Sequence, residues 1–369
     1  MKLYEYMGKD LFRRYSIPTP KGQVVTSPEE AAQVAAELGP VVIKIQVLAG
    51  KRGKGGGIRF ADSPQEAERQ AGELFGRGVE KLLVEERLKI DQEYYLSLTV
   101  DGARQKPLLL ASAQGGMDIE EVAEEHIVRY HIDPVTGVAP FVGREVARRL
   151  GLGVGSPWGK EFSSLLTNLY RLFTEMDCEL AEINPLVRSS EQLVAADAKV
   201  TIDDEALFRH KDLPYVSDRS QLEERAHQLG LSFVQLDGDI AVMANGAGIT
   251  MALLDTLQQF GGRPANFLDA GGGTGVETTI QALELLLATN PKAILVNIFG
   301  GITRCDDVAK ALVAVKEKYT IPVPLVIRLV GTNEEAGVSI LREAGLSAHR
   351  DMEAAAREVV ALAYGKELA

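Results

Sequence analysis

An α+β region followed by an α/β region on a parallel sheet is the fold class this sequence predicts, and three observations predict it. In the first half, strand-like runs are separated by long loops and by capped helical stretches. Past "FVQLDGDIAVMANGAG" (233–248), near-continuous apolar runs alternate with amphipathic helices, the pattern of parallel strands covered on both faces. The chain has 369 residues, 46% apolar and 25% charged, enough for two or three packed cores. The pattern changes near 230–238, which divides the chain into 1–236 and 237–369.

In order, the first strands are expected in "GPVVIKIQVLAG" (39–50), "KLLVEER" (81–87), "EYYLSLTVDG" (93–102) and "KPLLLASAQGG" (106–116). Helices are expected in "SPEEAAQVAAELG" (27–39) and "SPQEAERQAGELFG" (63–76), each with an N-cap Ser, a Pro in the first turn and a closing Gly. In the second half, strands "DIAVMAN", "ANFLD", "AILVNIF" and "VPLVIRLV" lead into helices at 248–260, 276–289, 304–318 and 333–344. No fixed-period repeat or low-complexity tract interrupts this order.

The charge balance narrows the function classes. A net charge of -12 argues against a nucleic-acid or anionic-membrane surface. Any phosphate site must then be local, built from glycine loops and single basic side chains. No apolar run approaches the ~18 residues of a membrane span, and "MKLYEYMGKD" lacks the apolar core of a signal peptide. Cys178 and Cys305 stand in no paired metal or redox spacing. A reducing cytoplasm is the natural setting.

Three stretches carry candidate chemistry. "CELAEINPLVRSSEQLVAADAKV" (178–200) reads as two strands joined by a polar turn. With the turn centred on 190–191, Asn184 faces Asp197 and Glu182 faces Lys199. Residues two apart share a strand face, so these four form one polar patch. A solvated hairpin face is one reading. A Mg²⁺-nucleotide site is the other, because Mg²⁺ takes few hard oxygen ligands and leaves positions to water and phosphate. Lys44 interrupts an apolar strand, either snorkelling to solvent or reaching a ligand. The loop "AGKRGKGGG" (49–57) after it offers five glycines and three basic side chains, a composition suited to closing over phosphates. It is not a P-loop, since GxxxxGK[ST] is absent. Glu85 and Glu93 add carboxylates able to hold ribose hydroxyls or a base amine.

In the second half, "NIFGGITRCD" (297–306) ends a strand and starts a helix. Gly300 and Gly301 let backbone approach a ligand, and a helix N-terminus favours an anion. A simple turn between strand and helix reads equally well from these residues alone. "MANGAGITM" (243–251), with Asp269 about 20 residues on, imitates a dinucleotide fingerprint, but Met251 occupies the third glycine position. "DAGGGTG" (269–275) reads as a structural or interfacial turn. Of the five histidines, His126 and His131 lie among carboxylates, and none of His126, His131, His210, His227 and His349 lies in a glycine-flanked loop.

The strand lysine, the basic glycine loop, "VEE" and "EINPLV…DAK", taken in this order, resemble the ATP-grasp domain of succinyl-CoA synthetase β subunits. The resemblance extends through "DPVTGVAPFVGRE" (133–145), "EALFRHKDL" (205–213), "NGAG" (245–248), "GGRPANFLDAGGG" (261–273) and "NIFGGITRCD", covering essentially the whole chain. It implies an N-terminal ATP-grasp domain followed by a flavodoxin-like CoA-ligase domain. It also implies the reaction NTP + succinate + CoA ⇌ NDP + phosphate + succinyl-CoA. Lys44, Lys51, Arg52, Gly53, Glu85, Leu88 and Glu93 would then lie on ATP/ADP or GTP/GDP, and Asn184 and Asp197 would hold Mg²⁺. Asn245, Gly301, Ile302 and Thr303 would border the succinate site, and Glu182 would meet a phosphohistidine. That histidine belongs to the family's α subunit, which would be the partner and would carry most of the CoA site. Lys51 stands where the family more often has a small residue, Leu48 where a histidine is common, and Leu88 offers no hydroxyl. Because Lys is a donor only, Lys51 at the base edge would suit the guanine O6 acceptor. A malate–CoA ligase large subunit shares these motifs. A single-chain carboxylate–amine ligase would lack the second domain.

Overall fold

In the computed structural model, which describes residues 1–48, 56–189, 192–272, 275–318 and 321–365, the chain opens with helix α1 (Glu5–Arg14). Met7, Leu11 and Phe12 on α1 are buried in the main core of the first unit. There follow β1 (Gly22–Val25), α2 (Pro28–Leu38), β2 (Val41–Ile45), β3 (Ile58–Ala61), α3 (Pro64–Phe75) and β4 (Leu82–Glu86). The Ser-Pro signals hold: Ser27 and Ser63 side chains accept the Glu30 and Glu66 N–H groups at 3.2 and 3.3 Å. These strands form an antiparallel sheet in the order β1-β4-β2-β3. One face packs Val41, Ile43, Leu82 and Val84 against Ala31, Val34, Ala67 and Leu74 of α2 and α3. Strand alternation therefore sends Lys44 and Glu85 to the other face.

A second antiparallel sheet follows, from β5 (Gln92–Asp101), β6 (Lys106–Ser112), β7 (Ile127–His131), helices α4 (Pro140–Arg149) and α5 (Pro157–Glu175), then β8 (Cys178–Ser189), β9 (Gln192–Ala195) and β10 (Lys199–Ile202). Its order is β10-β8-β5-β6-β7, with β9 also on β8. Leu96, Leu98, Ala181 and Ile183 join Phe162, Leu166 and Leu169 of α5 in one core. The register Lys199↔Glu182 and Ser189↔Gln192 agrees with the turn centred on 190–191. The compact unit built this way spans Met1–Asp218.

The other unit, Arg219–Ala369, contains α6 (Gln221–Gln228), β11 (Ser232–Gln235), β12 (Ile240–Ala244), α7 (Ala247–Gln259), β13 (Asn266–Asp269), α8 (Val276–Ala288), β14 (Ala293–Gly300), α9 (Cys305–Lys318), β15 (Leu325–Gly331), α10 (Glu334–Glu343) and α11 (Met352–Tyr364). The sheet order is β11-β13-β12-β14-β15, with β11 antiparallel to β13 and the rest parallel. Two cores lie against it. One includes Leu283, Leu286, Val308 and Leu312 of α8 and α9, the other Leu253, Leu257, Val359 and Val360 of α7 and α11. This is the doubly wound order, whose reversal falls between β12 and β14. Ligands of such sheets gather beyond the carboxyl ends of the strands at that point. Among the described residues no helix is long and apolar enough to cross a membrane.

Candidate functional site

Lys44 does not snorkel. Its ammonium lies 2.8 Å from Glu5, 3.0 Å from Glu85 and 2.6 Å from the Ala196 carbonyl. Beside it Lys9 bonds both Glu85 oxygens at 2.7 and 2.6 Å, Glu5 at 2.8 Å and the same carbonyl at 2.8 Å. Four charges thus share one buried pocket. Burial alone would lower the pKa of Lys44, but Glu5 and Glu85 hold it above its ordinary value, so it stays a cation. Removing one member of a buried set costs about 3–5 kcal/mol, because the partner charge is left uncompensated. Gly22 permits the close approach of β1, since a Cβ there would meet the Val84 carbonyl and Glu85 Cγ at 2.6 Å.

Ala196 is available because β8 changes partners. β9 pairs with its far end and β10 with its near end, and residues 196–198 lie between them. The Ala196 N–H still bonds Pro185 at 3.1 Å, while its carbonyl takes both ammonium groups. Asp197, next along, turns Oδ1 onto the Ala198 N–H at 2.7 Å. Opposite, Asn184 Oδ1 accepts the Gly116 N–H at 2.8 Å, and its Nδ2 donates to the Met117 carbonyl at 2.9 Å. The loop after β6 therefore closes on the hairpin. A Cβ on Gly116, whose φ is +75°, would strike the Glu93 carboxylate.

These placements bring most of the expected first-unit residues together. Lys44, Glu85, Asn184 and Asp197 are linked through Ala196 and the hairpin, and Glu93 meets the same loop as Asn184. Leu88 lies in the connection between β4 and β5. Lys51, Arg52 and Gly53 lie outside the described residues. Glu85 is fully engaged by lysines, so its carboxylate shapes the pocket rather than pointing out of it. Asn184 and Asp197 are hard oxygen donors, and the described residues hold no group of three or more His, Cys, Asp or Glu side chains able to cage a metal. Two donors with remaining positions left to water and phosphate match Mg²⁺. Glu182 accepts a 2.8 Å bond from the Tyr95 hydroxyl, and Ser97 stands opposite it in register. Burial, with Glu182 beside it, raises the Tyr95 pKa, so this hydroxyl remains a donor.

In the second unit the loops after β12, β13 and β14 meet at the strand reversal. Asn245 bridges two of them: Nδ2 donates to the Phe299 carbonyl and Oδ1 accepts the Phe299 N–H, both at 2.9 Å. Asp269 Oδ1 accepts from Gly246 and Gly271 at 2.5 and 2.7 Å. A dinucleotide fold needs that carboxylate for a ribose, so this use of Asp269 disfavours the fingerprint reading. The two glycines of the turn differ. A Cβ on Gly300 would meet the Thr303 carbonyl at 2.7 Å and Cys305 Sγ at 3.0 Å, whereas one on Gly301 meets nothing within 4 Å. Thr332 closes the turn, accepting from Cys305 N–H at 2.9 Å and donating through Oγ1 to Gly301 at 2.8 Å. Thr303 is buried and Ile302 is 83% exposed.

One expectation changes here. The turn was expected to present its N–H groups to an anion, but Gly301 N–H bonds Phe299 at 3.1 Å and Cys305 N–H bonds Thr332. Asp306 and Asp307 already occupy the first turn of α9 and draw in Arg304. Arg304, then Asn333, hold the Asp306 carboxyl well below the usual carboxylate range. The helix end is therefore partly neutralised by its own chain.

Sequence reasoning passed over Glu5, Lys9, Tyr95 and Ser97. A Glu and a Lys four apart ordinarily mark a solvated helix face; only their place on the face of α1 shared with Gly8 and Phe12 signals burial. The histidines are structural where partnered: His131 bonds Asp101 and His210 bonds Asp177, each at 2.8 Å, and His349 bonds Glu358.

Comparison with known proteins agrees with this architecture. Residues 2–188 match the ATP-grasp domain model and residues 243–362 the CoA-ligase model. The succinate–CoA ligase [ADP-forming] subunit beta of Chloroflexus aurantiacus is 44% identical over 380 residues, covering 99% of this chain and 100% of that one. Its counterpart in Methanothermobacter thermautotrophicus is 45% identical over 373 residues, covering 98% and 99%. ATP citrate lyase from Methanothrix soehngenii shares the fold, with a TM-score of 0.74 at 19% identity over 99% of each chain. With both domain models matched in order and such identity from end to end, the chain belongs to the family of succinate–CoA ligase β subunits.

Proposed function

We propose that this chain is the nucleotide-side subunit of an acid–CoA ligase that interconverts NTP, succinate and CoA with NDP, phosphate and succinyl-CoA. The observation that supports the reading is the presence, in one chain, of two separately built sites: the Lys44–Asn184–Asp197 face and the Asn245-bridged turn at 300–304. Lys44, Glu93 and the backbone near Leu88 would receive the nucleotide, joined by Lys51, Arg52 and Gly53 of the glycine loop. Asn184 and Asp197 would hold Mg²⁺, which supplies charge neutralisation to the phosphates. Phosphoryl transfer rests mainly on positioning and charge, and Lys44 supplies both. Glu182, steadied by Tyr95, would orient the phosphohistidine of an α-subunit partner. Asn245 would hold the turn in shape, and Gly301 and Ile302, with Thr303 buried beneath them, would border succinate together with that partner, which brings most of the CoA site.

The test is phosphate labelling. The full chain alone should bind Mg-nucleotide yet take up no acid-labile, alkali-stable phosphate from labelled ATP or GTP. Adding the α subunit should produce that label, all of it on α, and succinate with CoA should discharge it. Stoichiometric phosphohistidine on His126, His131, His210, His227 or His349 would overturn the assignment. The relatives are named ADP-forming, which supports adenine as the base. Comparing ADP with GDP in wild type and Lys51→Ala decides whether Lys51 reaches the base.

A further inference from the structure

If Lys44 is a phosphate ligand, its present partners raise a problem of charge. It shares Glu5, Glu85 and the Ala196 carbonyl with Lys9. The two lysines are not equivalent. The Lys9 side chain is 1% exposed and sits on α1, fixed by Leu11 and Phe12 in the core; that of Lys44 is 11% exposed. Two ammonium groups balance the two buried carboxylates they bond, and Asp197 acts on both lysines from beside the pocket. When Lys44 turns to a phosphate, Glu5 and Glu85 remain buried, and an unpaired buried carboxylate is costly. Lys9 already touches both oxygens of Glu85, one of Glu5 and Ala196. It can hold all three acceptors without Lys44.

We propose that Lys9 is a positioning residue of the nucleotide site: the permanent counter-ion that lets Lys44 exchange Glu5 and Glu85 for phosphate. Without it, Lys44 would be the only cation facing two buried carboxylates and would be held there. The same ammonium ties α1 to β4 and to the residue before Asp197, so it also fixes the distance between the lysine face and the hairpin. The inference rests on the proposed role of Lys44 in binding nucleotide.

The test separates charge from packing. Calorimetric titration of the full-length chain with MgADP is compared for wild type, Lys9→Met, Glu5→Gln and the double variant. Lys9→Met should weaken binding at least about tenfold, because Lys44 is captured. The double variant restores the balance of one buried cation to one buried carboxylate and should return to within about threefold of wild type. Glu5→Gln alone weakens the hold on Lys44 and should bind as well as wild type or better. Wild-type affinity in Lys9→Met overturns the proposal, as does a double variant no better than Lys9→Met, which would assign the deficit to lost packing. Should circular dichroism show Lys9→Met unfolded, Glu5→Gln still decides: weaker binding than wild type by more than about tenfold contradicts the capture of Lys44. A wild-type chain that does not bind MgADP removes the nucleotide reading itself, and the role of Lys9 falls with it.

Discussion

The two candidate sites are built from opposite materials. The first-unit face is made of side-chain charge, with Lys9, Lys44, Glu5 and Glu85 buried and paired with one another. The second-unit turn is made of backbone, with Gly300 packed under Thr303 and Cys305, and Asn245 replacing a strand partner for Phe299. A ligand entering the first must displace internal partners, so affinity there depends on how charges are shared. A ligand at the second meets a preshaped surface whose own helix end is already partly neutralised by Asp306. Substitutions that alter charge should therefore damage the first site, and substitutions that alter backbone shape should damage the second.

The largest effect tests the first half of that contrast. Asp197→Ala removes a hard oxygen donor facing Asn184, and Mg²⁺-dependent nucleotide affinity should fall by more than about 100-fold, since even residues behind metal ligands are worth 10–100-fold. Glu182→Ala should leave that affinity intact and slow phosphoryl transfer to the partner subunit. If calorimetry and labelling show the reverse order of damage, the metal and histidine roles must be exchanged.

Next comes Gly300→Ala. The added Cβ would lie 2.7 Å from the Thr303 carbonyl and 3.1 Å from the Thr332 N–H. Backbone cannot retreat as a flexible side chain can. Overpacking of this kind costs about 1–3 kcal/mol, which denaturant unfolding should report. An unchanged midpoint would mean that the turn is softer than its packing implies, and the contrast between the two sites would weaken.

Tyr95→Phe tests the first site without touching its nucleotide face. It deletes the 2.8 Å bond to Glu182. Hydrogen bonds to charged groups contribute about 1.5–3 kcal/mol, so labelling of the partner should slow by about tenfold at the lower end of that range. MgADP affinity should not change. Loss of affinity with no change in labelling rate would place Tyr95 in the nucleotide pocket instead.

The contrast also explains what the sequence disclosed. The parallel sheet was legible because buried strands such as "AILVNIF" are apolar throughout and their helices carry start and stop residues. The hairpin register was legible because one polar turn fixes every pair along it, which placed Glu182 opposite Lys199. The pairing of Lys44 with Lys9 was not legible. It depends on a helix, a strand and a carbonyl more than 150 residues beyond both, and no local period encodes that distance. Nor did "NIFGG" reveal which glycine is packed and which is open, because the difference lies in Thr303, Cys305 and Thr332 closing over one side only.

That open side gives the smallest and most discriminating prediction. Gly301 is exposed, and a Cβ there meets nothing within 4 Å, so Gly301→Ala should change stability by no more than about 0.5 kcal/mol, the range of unremarkable surface substitutions. Its N–H is already bonded to Phe299, and its carbonyl accepts from Thr332. The methyl group therefore disturbs no internal bond. It can matter only if a ligand or partner lies against the turn. In the assembled enzyme, labelling of the partner by nucleotide should proceed normally, because the proposed nucleotide site is built in the other unit. Discharge by succinate and CoA should slow, because the methyl group occupies the approach to the turn. Normal discharge in a normally folded Gly301→Ala variant would show that the open face of Gly301 is not the face the substrate uses, and attention would pass to Ile302, which the fold leaves 83% exposed.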